Sequence, residues 1–332
     1  MKRLLVVILV LAAGWSGYWF MAKTGAQSDY ESWFTARRAE GWQAEYAALT
    51  VNGFPNRVDT TFDKPVLADP GTGWAWEAPW FQILALSYRP NHIITIWPET
   101  QKITIPGTSY QVDSAEMQAS IVMGTGKKHP LERSNLVASA MAVEGPLGTT
   151  TLQAVQLGAH RLEGALQDYR IAINADGLTP PLPGGVVLRT GGQLPRHLDA
   201  LRADVRVKFD RPWDLSALEN SRPQPREIRL KLAEAKWGEL ELALAGKLSV
   251  DERGRPTGNL TLKARNWRDI LEILRQLGWL PENWIGTLES GLGIAAQLSG
   301  NSQTLDLPLD FRDGQMSLGP IPLGSAPIIK LR

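Results

Sequence analysis

After residue 50, apolar side chains fall on every second position in run after run. Period two means strands with one buried and one wet face. Between 226 and 250, Ile228, Leu230, Leu232, Leu240, Leu242, Leu244, Leu248 and Val250 share one parity, and Glu227, Arg229, Lys231, Glu239, Glu241 and Lys247 hold the other. The same alternation marks Val58–Phe62, Ile93–Trp97, Lys102–Ile105, Ala115–Met123, Val205–Phe209 and Leu260–Ala264. Shorter candidates lie at 136–143, 149–157 and 169–173. Leu292, Ile294, Ala296 and Leu298 read as one further strand. Leu305 to Phe311 meets Met316 and Leu318 across Asp313-Gly314, a hairpin dipeptide.

Ahead of the strands stands one apolar segment. Lys2 and Arg3 precede an uncharged stretch from Leu4 to Ala22. As a helix it spans about 28 Å, close to the hydrocarbon thickness of a bilayer. Trp15, Tyr18, Trp19 and Phe20 cluster near its far end, where an interfacial aromatic belt belongs, and the leading basic residues favour an N-in orientation. A cleaved signal peptide is the rival reading, but bulky aromatics occupy the positions where its cleavage site needs small residues. The expectation is a single-pass inner-membrane anchor over 1–23, with the rest exported to the periplasm, then a helical stalk over 24–45. Two β halves follow, 46–185 and 186–332, divided near Asn174-Asp176-Gly177 and the Pro180–Gly185 cluster.

Among 332 residues, 43% are hydrophobic and 21% charged, as in a globular protein rather than a disordered one. A formal charge of +1 offers no electrostatic case for nucleic acid. Without cysteine the chain holds no disulfide and no Cys-ligated metal. Two short helices are expected: one over Pro195–Arg202, the other from Trp267 through Ile270, Leu271, Leu274 and Leu277, capped by Asn266 and closed by Gly278. The stretch Val58–Pro65 echoes Val205–Pro212, each ending in Phe-Asp-basic-Pro, but one eight-residue match does not establish a duplication.

No catalytic signature emerges. His92, His129, His160 and His197 stand in no ligand motif, and neither a nucleophile elbow nor a zinc-protease helix occurs. Gly124-Thr125-Gly126-Lys127-Lys128 lacks the spacing of a phosphate loop and reads as a lysine-tipped turn. Glu239 and Glu241 lie on a wet face near Lys236 and Lys247, which suits solvation better than acid–base work. No catalytic residue, metal ligand or cofactor is therefore assigned. The unusual count is 13 tryptophans. Packing accounts for them most simply. The sharper reading makes Trp74, Trp76, Trp80, Phe81, Trp97 and Trp237 the lining of an apolar groove for acyl chains.

Two motifs carry a resemblance. One is Val51-Asn52-Gly53-Phe54-Pro55-Asn56-Arg57-Val58, followed by Trp74, Trp76 and Pro79; the other is Phe311-Arg312-Asp313-Gly314-Gln315-Met316-Ser317-Leu318-Gly319-Pro320-Ile321-Pro322-Leu323-Gly324. With the anchor, they resemble an uncharacterised family of bacterial envelope proteins, itself distantly similar to AsmA-like proteins. The resemblance spans nearly the whole chain. It implies a mainly β fold: a large curved antiparallel sheet, trough or open barrel, with a few short helices. It implies a role in envelope lipid homeostasis or outer-membrane assembly. Within the motifs, Gly53, Phe54, Pro55, Arg57, Asp313, Gly314, Gly319 and Pro320 take structural roles. The function expected is non-catalytic binding or shielding of phospholipid. The alternatives are a scaffold that docks another envelope protein and a hydrolase with scattered catalytic residues.

Overall fold

The computed structural model describes residues 1–125, 128–181, 194–219, 222–276, 282–298 and 301–331. It is mainly β: an antiparallel sheet that stays open rather than closing into a barrel, behind an N-terminal apolar helix. The chain divides into two compact units, Met1–Gly124 with Leu136–Pro146, and Thr125–Asn135 with Leu147–Arg332. This division lies upstream of residue 185, where the sequence places its boundary. The turn after Asp176 is internal to the second unit, because the strands on either side of it pair directly from Asp168↔Lys208 to Ala175↔Leu201.

The first unit opens with α1 (Lys2–Ala39), one helix in which anchor and stalk are continuous. Then come β1 (Gln43–Glu45), β2 (Ala48–Asn52), β3 (Arg57–Asp63), β4 (Val66–Asp69), β5 (Trp74–Glu77) and β6 (Trp80–Leu86). After these follow β7 (Arg89–Ile96), β8 (Thr100–Ile105), β9 (Thr108–Asp113), β10 (Glu116–Met123) and β11 (Leu131–Gly145), the last belonging to this unit from Leu136 onward. Two ladders emerge, β2-β3-β6-β7-β10 and β1-β4-β5-β8-β9-β11. The chain crosses from one ladder to the other at β1/β2, β3/β4, β5/β6, β7/β8 and β9/β10, so each of these pairs makes one long strand of a meander, broken midway. The breaks align. Pro65 and Pro98, both fully buried, and Pro79 sit at them, and a proline cannot donate to a ladder. Bonds such as Lys64 N–H to Pro79 O at 2.9 Å and Ala78 N–H to Pro65 O at 3.2 Å hold the strands together at this crease. Pro65 thus ends β3, and the chain resumes as β4 in the other ladder.

One face of this unit packs on α1. Phe34, Ala44 and Phe62 are buried with Tyr30, Trp33, Tyr46, Leu49, Leu67, Phe81 and Ile83 around them. Tyr30, Phe34, Tyr46 and Phe81 surround the Phe62 ring at centroid distances of 5.3, 5.5, 6.0 and 6.4 Å. Burial pushes the Tyr30 hydroxyl above its ordinary pKa, partly offset by its hydrogen bond with Thr60.

The second unit is a plain meander. Its strands are β12 (Gly148–Arg161), β13 (Asp168–Asp176), β14 (Ala200–Phe209), β15 (Pro225–Trp237), β16 (Leu240–Val250), β17 (Pro256–Arg265), β18 (Thr304–Arg312), β19 (Gln315–Leu318) and β20 (Ile321–Ser325). Helix α2 (Ser216–Glu219) follows β14; α3 (Trp267–Gln276) and α4 (Glu282–Leu298) lie between β17 and β18. Three local expectations need correction. No helix forms over Pro195–Arg202: its last three residues open β14, where pairing with β13 and β15 overrides local propensity. Leu292–Leu298 lies in α4, not in a strand; Leu292 and Ala296, four apart, bury the same helix face. Asn266 precedes α3, but its amide reaches Glu239 O at 2.9 Å and its backbone is left-handed, so it does not cap in the usual way. Gly278 lies outside the described residues, as do Gly126 and Lys127 of the lysine-tipped turn. Asp313-Gly314 makes the expected hairpin with φ of 52° and 74°.

Gly246 in β16 is required by its neighbours. At φ 150° a Cβ there would stand 2.4 Å from Asn259 O across the ladder. We expect Gly246→Val to force β16 from β17 and to cost about 2–3 kcal/mol, read as a lowered denaturation midpoint.

Candidate functional site

The register of the second unit turns scattered aliphatic residues into rows. Across β12 to β18, Leu157, Ile173, Ala203, Ala233, Leu244, Leu262 and Leu307 stand directly opposite one another in turn. Beside them run Ala159, Ile171, Val205, Leu230, Gly246, Leu260 and Leu309. Seven strands at about 4.8 Å spacing make each row roughly 29 Å long. Alternation places both rows on one face.

Coverage of this face is uneven. Helices α3 and α4 pack over its β16–β18 part: Trp267, Leu288, Leu292 and Ala296 bury Ala264, Leu305 and Leu307. The C-terminal residues Ala326 and Ile329 close over Leu248, Leu260 and Phe311. At the β13–β14 ends, Tyr169, Val207 and Phe209 form a third cluster with Trp213. Between these covers Leu157 and Ile173, paired across the ladder, are each 39% exposed. Val205, Leu230 and Leu244 are half-buried. The result is an apolar band, sealed on one side and open over β12–β13.

The opposite face is laced with charge. Asp204 pairs with Arg170 at 2.8 Å and Lys231 at 3.3 Å; Glu241 pairs with Lys236 at 2.9 Å and Arg265 at 3.6 Å. The Arg170 hydrogen bond holds the Asp204 carboxyl below its ordinary range, and the Lys236 bond does the same for Glu241. Glu241 is thus an ion-pair partner on the solvated face. On α3, Arg275 and then Gln276 bond Glu272 and lower its pKa from 4.5 to about 2. A carboxyl depressed on folding stabilises the fold above its unfolded pKa and loses that contribution as pH falls through the folded value. The Glu272 contribution is therefore complete above pH 4.5 and gone below about 2. We expect thermal melts to show stability falling across that window, with Glu272→Gln flattening part of the fall.

The tryptophan candidates divide between the units. Trp76 stacks edge-on to Phe81 at 5.4 Å, and Phe81 meets Trp97 at 5.2 Å. The Trp76 Nε1–H donates to Gln101 Oε1 at 2.8 Å. Phe81 also belongs to the cluster under α1, so the three adjoin that packing. Trp80 follows the opposite parity to Phe81, and Trp74 is exposed at the start of β5. Trp237 belongs to the second unit, its Nε1–H on Pro195 O at 2.7 Å. The structure thus brings together Trp76, Phe81 and Trp97 but not the six. The open band is built from aliphatic residues that no sequence motif marked.

Polar chemistry is sparse among the described residues. No cluster of three or more metal-ligating side chains occurs. A cleft of about 290 Å³ lies along the crease, lined by Lys64, Glu77, Thr100, Gln101, Lys102 and Gln111 among others. Its polar groups pair with one another and with neighbours: Lys102 with Glu77 at 3.2 Å, the Thr100 hydroxyl with Asp113 at 2.8 Å. His92 Nε2 lies 2.9 Å from Ser120 Oγ on the sheet, with no acid placed to orient it in the bonds described.

The N-terminal motif sits on α1. Trp15 Nε1–H donates to Pro55 O at 2.9 Å and Trp19 Nε1–H to Arg57 O at 2.6 Å. Phe54 meets the Trp19 ring edge-on at 5.3 Å. Gly53 adopts φ 107°, and a Cβ there would stand 2.7 Å from the Arg57 Cβ. The Phe54–Pro55 bond is cis. In the C-terminal motif, Phe311 and Leu318 are buried, and Gly319 N–H bonds Pro308 O at 2.7 Å; Pro320 leads into β20. A family model described as an uncharacterized protein conserved in bacteria matches residues 19–327. The chain belongs to the DUF2125 family. No curated protein and no solved structure matches it. Within this family frame, α1 is the one described helix long and apolar enough to cross a membrane or serve as a signal sequence.

Proposed function

We propose that the chain is a single-pass, inner-membrane-anchored periplasmic protein that holds or shields phospholipid acyl chains without catalysing a reaction. The observation that carries this reading is the open apolar band around Leu157 and Ile173. Each CH₂ moved from water onto such a surface gains about 0.8 kcal/mol, so a full acyl chain needs no specific polar partner. An uncleaved anchor is supported by Trp19, which is only 4% exposed and bonds the Arg57 carbonyl: cleavage beyond it would remove part of the folded unit.

A photo-crosslinking residue at position 157 or 173 in cells separates this reading from a scaffold. Adducts with phospholipid are expected. A single stoichiometric protein adduct with no lipid would replace it by the docking role.

A further inference from the structure

We propose that one end of the first unit is a lipid-inserted rim: the β2–β3 turn at Gly53–Asn56 and the β6–β7 turn at Ser87–Tyr88 enter the headgroup–acyl boundary of the leaflet into which α1 leads. The inference rests on reading α1 as a membrane span. Its first ground is register. The uncharged stretch runs from Leu4 to Ala22, and Lys23 is the first charge after it. The turns are fixed to Trp15, Tyr18 and Trp19, three to seven residues before Ala22. At 1.5 Å per residue they lie about 5–10 Å inside the end of the apolar segment. If all of Leu4–Ala22 is used to cross the membrane, these turns cannot remain in water.

The second ground is hydrogen bonding. Backbone groups facing hydrocarbon must find partners within the protein. Four rim carbonyls have them: Pro55 O from Trp15, Arg57 O from Trp19, Ser87 O from the Tyr18 hydroxyl at 2.7 Å, and Asn56 O from Ser87 N–H at 2.9 Å. Gly53 O takes Arg57 N–H at 2.8 Å as well. Three of these donors are the Trp15, Tyr18 and Trp19 side chains of α1, so the carbonyls they meet are satisfied without water.

The third ground is surface chemistry. Phe54 is 54% exposed and Tyr88 58%, next to the exposed Tyr18 and Phe20. Arg57, paired with Asp59 at 2.8 Å yet half exposed, and Arg89 stand at the same turns, a height at which guanidinium groups reach headgroup phosphates while aromatic rings enter the boundary.

The absence of native cysteine makes the test direct. Single spin labels are placed at positions 9, 54, 88 and 105 of the full chain, in vesicles of mixed zwitterionic and anionic phospholipid. Ile105 is exposed beyond the crease and serves as the aqueous reference. We expect labels at 54 and 88 to favour the lipid-soluble relaxant oxygen over a water-soluble nickel chelate, as the label at 9 does. If either 54 or 88 is as aqueous as 105 while 9 lies in hydrocarbon, the rim is overturned and the anchor stands. If the label at 9 is aqueous too, both readings fall.

Discussion

Phe62→Ala is expected to lower the stability of the first unit by about 3–5 kcal/mol. Phe62 is 3% exposed, and four aromatic rings close on it from α1, the loop after β1 and β6. Truncation removes the ring and leaves a cavity, because α1 is held at both ends of its contact with the sheet and cannot collapse into the space. In a two-state melt this is a fall of roughly 10 °C. A fall of only a degree or two, measured by circular dichroism on the full chain, would mean that α1 does not pack on the sheet as described.

The second large effect concerns the open band. Leu157→Lys combined with Ile173→Glu is expected to remove bound lipid while sparing the fold. The two residues are directly opposed, so the new charges form a cross-strand pair of the kind sheets tolerate. Both are already 39% exposed, which limits the stability cost. An acyl chain, however, would lie on two charges whose desolvation costs several kcal/mol, and each 1.4 kcal/mol is tenfold in affinity. Lipid content is expected to fall at least roughly tenfold with the melting temperature little changed. Retained lipid in a correctly folded variant would place the acyl chains elsewhere.

Much of this architecture is legible in the sequence because a one-sided sheet writes its burial as alternation. Leu240 to Val250 reads directly as β16, and Asp313-Gly314 as the hairpin turn between β18 and β19. Misreadings occur where two periods coincide. Leu292, Ile294 and Ala296 satisfy period two, yet Leu288, Leu292 and Ala296 satisfy period four and decide the matter as a helix face. Pro65 reads as a strand end and is one: β3 stops at Asp63, and β4 begins past the crease in the other ladder. The tryptophans stand out by their rarity, although Trp76, Phe81 and Trp97 simply pack against one another. Leu157 and Ile173 carry no signal of their own. Only the pairing register, set by contacts across many strands, assembles them into a surface. The docking of Gly53–Arg57 on Trp15 and Trp19 is likewise invisible in a linear pattern, since it joins residues about 40 apart.

The proposed function requires that lipid occupy the apolar band in the native protein. The direct measurement is mass spectrometry of the full chain extracted in a mild, lipid-free polymer, with organic extraction and quantification of what comes with it. Near-stoichiometric phospholipid, lost in the Leu157→Lys/Ile173→Glu variant, is the result expected. Native protein carrying no phospholipid beyond that of an unrelated single-pass anchor would contradict it.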